Sequence, residues 1–200
     1  MSKPKILLFD LGGVIVHWVG LDELANMTGR PRRTVIDQLA ASDIFNAYEI
    51  GQCSDDAFAA ELICLFDLNI DLSRAKALWN SWVQQCYEGT KAVLSLLRED
   101  YTIACLSNTN MLHWAHLPTH INVDDYFDHS FASHLINAAK PDPRSYEIPI
   151  EKMDVSPSDI WFFDDTLKNV QAAKAAGMQA YHVDRTVGVV PTLKKLGLVS

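Results

Sequence analysis

Apolar positions fall along this chain in short runs separated by longer amphipathic stretches. Five runs have strand length: 6–11, 102–106, 130–132, 160–163 and 180–183. The first opens with Ile6-Leu7-Leu8-Phe9, apolar at every position, the pattern of a strand buried on both faces of a parallel sheet. Between most runs the spacing becomes helical. Residues 89–99 carry Val93, Leu94, Leu96 and Leu97 on one face, and 168–176 forms a second helix closed by Gly177 as a C-cap. Strands alternating with helices predict βαβ units with right-handed crossovers. The expected fold class is α/β, a Rossmann-like parallel sheet flanked by helices.

One stretch breaks the alternation. Strand signal is weak from 19 to 88, and 21–27, 33–41, 55–67 and 74–87 read as helices. Ser54 and Ser73 are expected N-caps, and Asp55 and Asp56 suit a first helical turn. A block of about 70 residues falls within the domain range. The expected organisation is an α/β core over 1–17 and 89–200, with a small helical cap over 18–88 inserted after the first strand as a lid. One more packed layer is the alternative.

The 200 residues are 48% apolar, enough to bury a core for one domain with an insertion. The net charge of -8 argues against nucleic acid and anionic membrane as partners, since both require a basic surface. Cys53, Cys64, Cys86 and Cys105 are widely spaced, as expected for reduced thiols of a cytoplasmic protein rather than a disulfide framework or zinc site. The first apolar run is short and ends in Asp10, so no signal peptide is expected, and no stretch is long enough to span a membrane.

The chemistry sits where the strands end. Asp10 follows the first run, at the carboxyl edge where open α/β sheets place their ligands. Asp164 and Asp165 follow Ile160-Trp161-Phe162-Phe163. Three such carboxylates must share protons or bind a cation, and all-oxygen ligation favours a hard ion, Mg²⁺. One of the pair could also simply cap the next helix. Ser107 and Asn108 end another strand; alone they read as a capped turn, or as a hydroxyl and an amide for phosphate oxygens. Lys140 lies before Pro141 in a stiff loop and by itself reads as surface.

The ordered set, Asp10, then Ser107-Asn108, then Lys140-Pro141, then Asp164-Asp165, resembles the haloacid dehalogenase-like (HAD) hydrolase superfamily over essentially the whole chain. Phe9-Asp10-Leu11-Gly12, Ser107-Asn108-Thr109-Asn110 and Phe162-Phe163-Asp164-Asp165 are similar to the α-D-glucose-1-phosphate phosphatase subgroup. The resemblance implies a phosphatase acting on a small phosphorylated substrate. Asp10 would be the nucleophile and form an aspartyl phosphate. Mg²⁺ would be held by Asp10, the Gly12 carbonyl and Asp165, with Asp164 beside it or acting through water. Ser107 and Asn108 would bind the phosphate, and Lys140 would neutralise phosphate and nucleophile together. Asn169 is a supporting candidate.

Most phosphatases of the superfamily carry a second aspartate two residues after the nucleophile, where this chain has Gly12. That side chain protonates the leaving oxygen, a contribution worth roughly 10²–10⁴-fold. A substrate with a good leaving group, such as a sugar 1-phosphate, would tolerate the loss, or a group from the cap or the substrate would replace it. A weak or inactive phosphate- or partner-binding module is the alternative, and a 2-haloacid dehalogenase the third. A receiver domain is set aside because its acidic pair usually follows the first strand. His17 is the nearest substitute acid, with a hinge role as its plain reading. His113, His116 and His120 have zinc-like spacing interrupted by Pro118. Trp79 and Trp82 are expected to pack inside the helical block, with a sugar pocket as the alternative. Arg30, Arg32 and Arg33 read as a solvated helix start, with phosphate recognition as a minor alternative.

Overall fold

The computed structural model describes residues 3–200. The five apolar runs form one all-parallel sheet. Its strands are β1 (Ile6–Phe9), β4 (Thr102–Ser107), β5 (His129–Ala132), β6 (Ile160–Asp164) and β7 (Gln179–His182), in the order β5-β4-β1-β6-β7. β1 is central, with Leu8 opposite Ala104 on one side and Phe162 on the other. Alternate residues feed two apolar layers. Leu7, Phe9, Ile103 and Phe163 pack with Leu94, Leu97 and Leu193 on one face. Ile6, Leu8, Ala104 and Phe162 pack with Tyr146, Val170 and Ala173 on the other. Burial on both faces is why β1 lacks polar alternation.

Helices α6 (Thr90–Leu97), α7 (Met111–His116), α8 (Val123–Tyr126), α9 (Ser133–Ile136), α10 (Pro143–Met153), α11 (Leu167–Ala175) and α12 (Val190–Lys195) flank or connect these strands. Between β1 and β4 lie β2 (Val16–Trp18), α1 (Gly20–Thr28), α2 (Arg32–Ala41), α3 (Asp43–Glu49), α4 (Asp55–Phe66), α5 (Leu72–Ser81) and β3 (Val83–Cys86). These helices share a separate apolar cluster of Leu24, Val35, Leu39, Tyr48, Phe58, Leu62, Phe66, Trp79 and Trp82.

Three local expectations are corrected. The helix expected over 74–87 ends at Ser81, and Val83–Cys86 instead pairs antiparallel with β2. The two chain connections between the sheet and the helical block run side by side there, and each satisfies the other's backbone groups. The N-cap of α5 is Asp71, whose carboxylate accepts the Arg74 N–H, rather than Ser73. Helix α3 was not expected at all; its start is set by Ser42, which accepts the Phe45 N–H. Ser54 caps α4 as expected. All four cysteines are free. Among the described residues no helix is long and apolar enough to cross a membrane.

Candidate active site

Parallel strands that end side by side deliver their next residues to one edge, and here those residues are chemical. Asp10 follows β1, and its N–H donates to the Phe163 carbonyl of β6 (2.9 Å). Its Oδ1 accepts the Leu11 N–H (2.8 Å) and lies 2.9 Å from Lys140 Nζ. Beyond it the chain turns tightly, and the Leu11 carbonyl accepts the N–H groups of Val14, Ile15 and Val16. Gly13 has φ +77, and a Cβ there would stand 2.5 Å from Asp165 Oδ2. Glycine is required both for that backbone and for that approach.

Lys140 reaches the same place from the loop before α10. Its side chain is fully buried, and Nζ donates to Asp164 Oδ2 (2.7 Å) and the Leu106 carbonyl (2.8 Å) as well as pairing with Asp10. Burial by itself would discharge this amine. The Asp10 and Asp164 carboxylates outweigh burial and hold the amine above its ordinary value. Asp10 is pushed up to about 7, first by burial; Lys140 pulls it down, and Asp164 and Asp165 push it up again. Asp165 is raised by burial and then by Asp164, with Arg185 opposing from 3.8 Å.

The acidic pair divides its work. Asp164 accepts from Lys140, from the Thr166 N–H (2.7 Å) and from Asn169 Nδ2 on both oxygens (3.1 Å each). It is completely buried and its oxygens are occupied. Asp165 accepts the Thr166 hydroxyl on Oδ1 (3.2 Å), faces Arg185 Nε across 3.8 Å from Oδ2, and lines the cavity. Asp10, Asp164 and Asp165 each offer an oxygen within 4.8 Å of the others. Three carboxylates converging at one edge fit a hard divalent ion.

The Asn108 side chain is committed elsewhere. Its Oδ1 accepts the Lys140 N–H and its Nδ2 donates to the Lys140 carbonyl, both at 2.8 Å. The two bonds clamp the lysine loop onto the end of β4. Ser107 lines the cavity beside it.

A cavity of about 360 Å³ opens above these groups. Its far side is lined by Trp18, Leu21, Phe45, Trp79 and Val83, with Glu49 and His113 among them. Trp79 therefore serves both the helical core and the cavity wall, whereas Trp82 belongs to the helical core. His113 Nε2 lies 2.9 Å from the Trp79 carbonyl, and the two rings stack at 4.9 Å. His116 and His120 pack edge to face with each other at 5.4 Å. Among the described residues no carboxylate or cysteine joins the three histidines as a metal set. His17 packs against Tyr87 with ring centroids 3.7 Å apart and the rings tilted by 36°, and it is absent from the cavity lining. Arg30 bonds Gln38 and the Leu65 carbonyl, while Arg32 and Arg33 pair with Asp22 and Asp37, all within the helical block.

Sequence reasoning missed Glu49 and Arg185. Glu49 ends a two-turn helix whose only local marks are the Ser42 cap and Gly51 beyond it, and Arg185 follows β7 in a loop. No periodicity marks either.

A parallel sheet that brings a lysine-paired carboxylate and an acidic pair to one edge makes this a Rossmann-like α/β protein with a site suited to a divalent ion. The chain belongs to the haloacid dehalogenase-like hydrolase family, whose model matches residues 4–177. It is 38% identical over 212 residues to a phosphatase of Mycobacterium tuberculosis, Phosphatase MT3486, covering 96% of this chain and 95% of that one. It is 26% identical to the D-ribitol-5-phosphate phosphatase of Bacteroides thetaiotaomicron, covering 88% and 90%. A HAD family enzyme of Bacteroides thetaiotaomicron, solved with magnesium and inorganic phosphate, superposes with a TM-score of 0.76 at 25% identity, covering 90% of this chain and 94% of that one.

Proposed function

We propose that this protein is a Mg²⁺-dependent phosphatase of small phosphorylated metabolites, a sugar phosphate such as a sugar 1-phosphate, acting through an aspartyl phosphate on Asp10. The observation that carries the reading is Asp10 Oδ1, held 2.9 Å from a fully buried Lys140 ammonium at the floor of the cavity. Such a carboxylate is oriented and kept ionisable in a place where burial alone would protonate it.

Asp10, Asp165 and the main-chain carbonyl of Gly12 hold the metal in this proposal. Asp164, with its oxygens taken by Lys140, Thr166 and Asn169, orients the lysine and would add its charge to the site of the ion. The ion supplies charge neutralisation for phosphoryl oxygens and nucleophile alike. Lys140 contributes a second positive charge at the reacting edge. The Ser107 hydroxyl and the Asn108 main-chain N–H bind phosphate oxygens, the Asn108 amide being spent on the lysine loop. The helices over 18–88 act as the cap that encloses the leaving group, and the core comprises 1–17 and 89–200. The aromatic cavity wall and the ribitol-phosphate relative support a sugar or polyol there.

Gly12 favours the second reading, a phosphate-binding module of weak activity. Turnover separates the two. Asp10→Asn should abolish phosphate release from every substrate while leaving the melting temperature within a few degrees. Normal turnover by that variant defeats the covalent mechanism. Activity that survives a chelator would favour the metal-free dehalogenase chemistry, for which Asp165 has no use.

A further inference from the structure

We propose that Glu49, brought over the site by helix α3, is the proton donor to the leaving oxygen, in the role that Gly12 leaves without a side chain. The inference rests on the phosphatase reading and assigns that site its missing acid.

Glu49 lines the same cavity as Asp10, Ser107 and Lys140. It comes from the helical block, while Asp10, Ser107 and Lys140 come from the sheet edge. The main chain from Glu49 to Gly51 is bonded to the core twice and packs tightly against it a third time. Ser133 Oγ lies 2.6 Å from the Glu49 carbonyl and 2.8 Å from the Thr109 carbonyl, which share its single proton, and it accepts the N–H of Thr109, two residues beyond Ser107 (2.9 Å). Asn137 Nδ2 donates to the Ile50 carbonyl (2.8 Å). Gly51 approaches so closely that a Cβ there would stand 2.3 Å from the His134 carbonyl. One serine hydroxyl thus ties the loop after Ser107 to Glu49 itself. That is the geometric control a proton donor needs.

The surroundings match the role. Burial pushes the Glu49 carboxyl up to about 7, with Lys140 pulling it down. An acid poised there is partly protonated at neutral pH and can also accept a proton. The other titratable groups packed against α3 do not compete. On α4, Asp55 is bonded by Tyr48 and Glu61 by Ser42; on α2, Asp37 pairs with Arg33; on α9, burial holds His134 towards its neutral form. Across the cavity burial also lowers His113, to about 4.

The cycle balances. An Asp10 oxygen bonds to phosphorus, and the bond from phosphorus to the leaving oxygen breaks. The leaving oxygen keeps the electron pair and takes the Glu49 proton. Water then attacks the phosphorus, Glu49 recovers a proton from it, and the pair of the cleaved bond returns to Asp10 as inorganic phosphate departs.

The test compares wild type with Glu49→Gln on p-nitrophenyl phosphate, whose leaving group needs no proton, and on alkyl and sugar phosphates, whose leaving groups do. The variant should lose roughly 10²–10⁴-fold on the alkyl and sugar substrates. On p-nitrophenyl phosphate it should release one equivalent of nitrophenol per enzyme in a rapid burst, then turn over slowly as the phospho-enzyme waits for its base. In unmodified protein the aryl-to-alkyl rate ratio should rise as pH passes upward through about 7, a contrast independent of how the variant folds. Equal losses in the single-turnover phosphorylation rate on aryl and alkyl substrates, no burst, or a flat ratio would overturn the role of Glu49. Wild-type protein inert on every phosphoester would instead defeat the phosphatase reading beneath it.

Discussion

Replacing Lys140 with methionine removes the one cation that two buried carboxylates share. Lys140 Nζ is 2.9 Å from Asp10 and 2.7 Å from Asp164, and the side chains of Lys140 and Asp164 have no exposure. Breaking a buried pair by deleting one partner costs about 3–5 kcal/mol. Proton uptake bounds the loss independently. An ordinary carboxylate titrates near 4, and protonating one costs about 1.4 kcal/mol for each pH unit above that, so the ceiling is about 4 kcal/mol at pH 7 and about 1.5 kcal/mol at pH 5. Lys140→Met should therefore lose stability in a pH-dependent way. Its deficit should grow with pH, by at most about 1.4 kcal/mol per pH unit, because the native variant binds more protons there than wild type, whose Asp10 at about 7 is already partly protonated, while the unfolded chains do not differ. For a chain of this size each kcal/mol moves the melting temperature by about 2–4 °C, so the deficit at pH 7 should be about 6–16 °C. Thermal melts of both proteins at the two pH values, with and without Mg²⁺, measure this. Mg²⁺ should recover part of the deficit, since it supplies positive charge to Asp10. A deficit under about 2 °C at pH 7, or one that does not shrink at pH 5, would refute the argument that the lysine neutralises this pair.

Two further outcomes follow from single contacts. Asn108→Ala deletes both bonds to the Lys140 main chain and should cost about 2–4 kcal/mol in urea denaturation, with kcat falling more than KM rises, because the lysine loop shifts. A raised KM at unchanged stability would return that side chain to the phosphate. His113, buried and lowered to about 4 against an unfolded value near 6.5, is neutral in the native protein at pH values where the unfolded chain binds a proton. Stability should therefore fall as pH drops through that window, by about 3 kcal/mol at its lower end, and His113→Gln should remove that part of the slope in urea midpoints. Parallel curves for the two proteins would rule it out.

The residues most legible in the sequence are those whose role follows from their position on a strand. β1 is read from four consecutive apolar residues because both of its faces are buried, and Asp10 is then placed at the sheet edge by counting. Asp164 and Asp165 are placed in the same way at the end of β6, and Ser107 at the end of β4. Their order along the chain also carries the family. What the sequence by itself could not apportion is which partner each polar group takes. The Asn108 side chain reads as free for a phosphate oxygen until its amide is seen on Lys140, 32 residues away. Asp164 and Asp165 are chemically identical neighbours, and only the closure of Lys140 and Asn169 on the first leaves the second facing the cavity. Glu49 meets Ser133 across 84 residues of sequence, through a two-turn helix too short for periodicity to reveal. Strand ends are legible because burial writes a continuous apolar run along the chain. Hydrogen-bond partners, and the charges they shift, are decided by tertiary packing, because the groups that meet are set by how the helical block closes on the sheet.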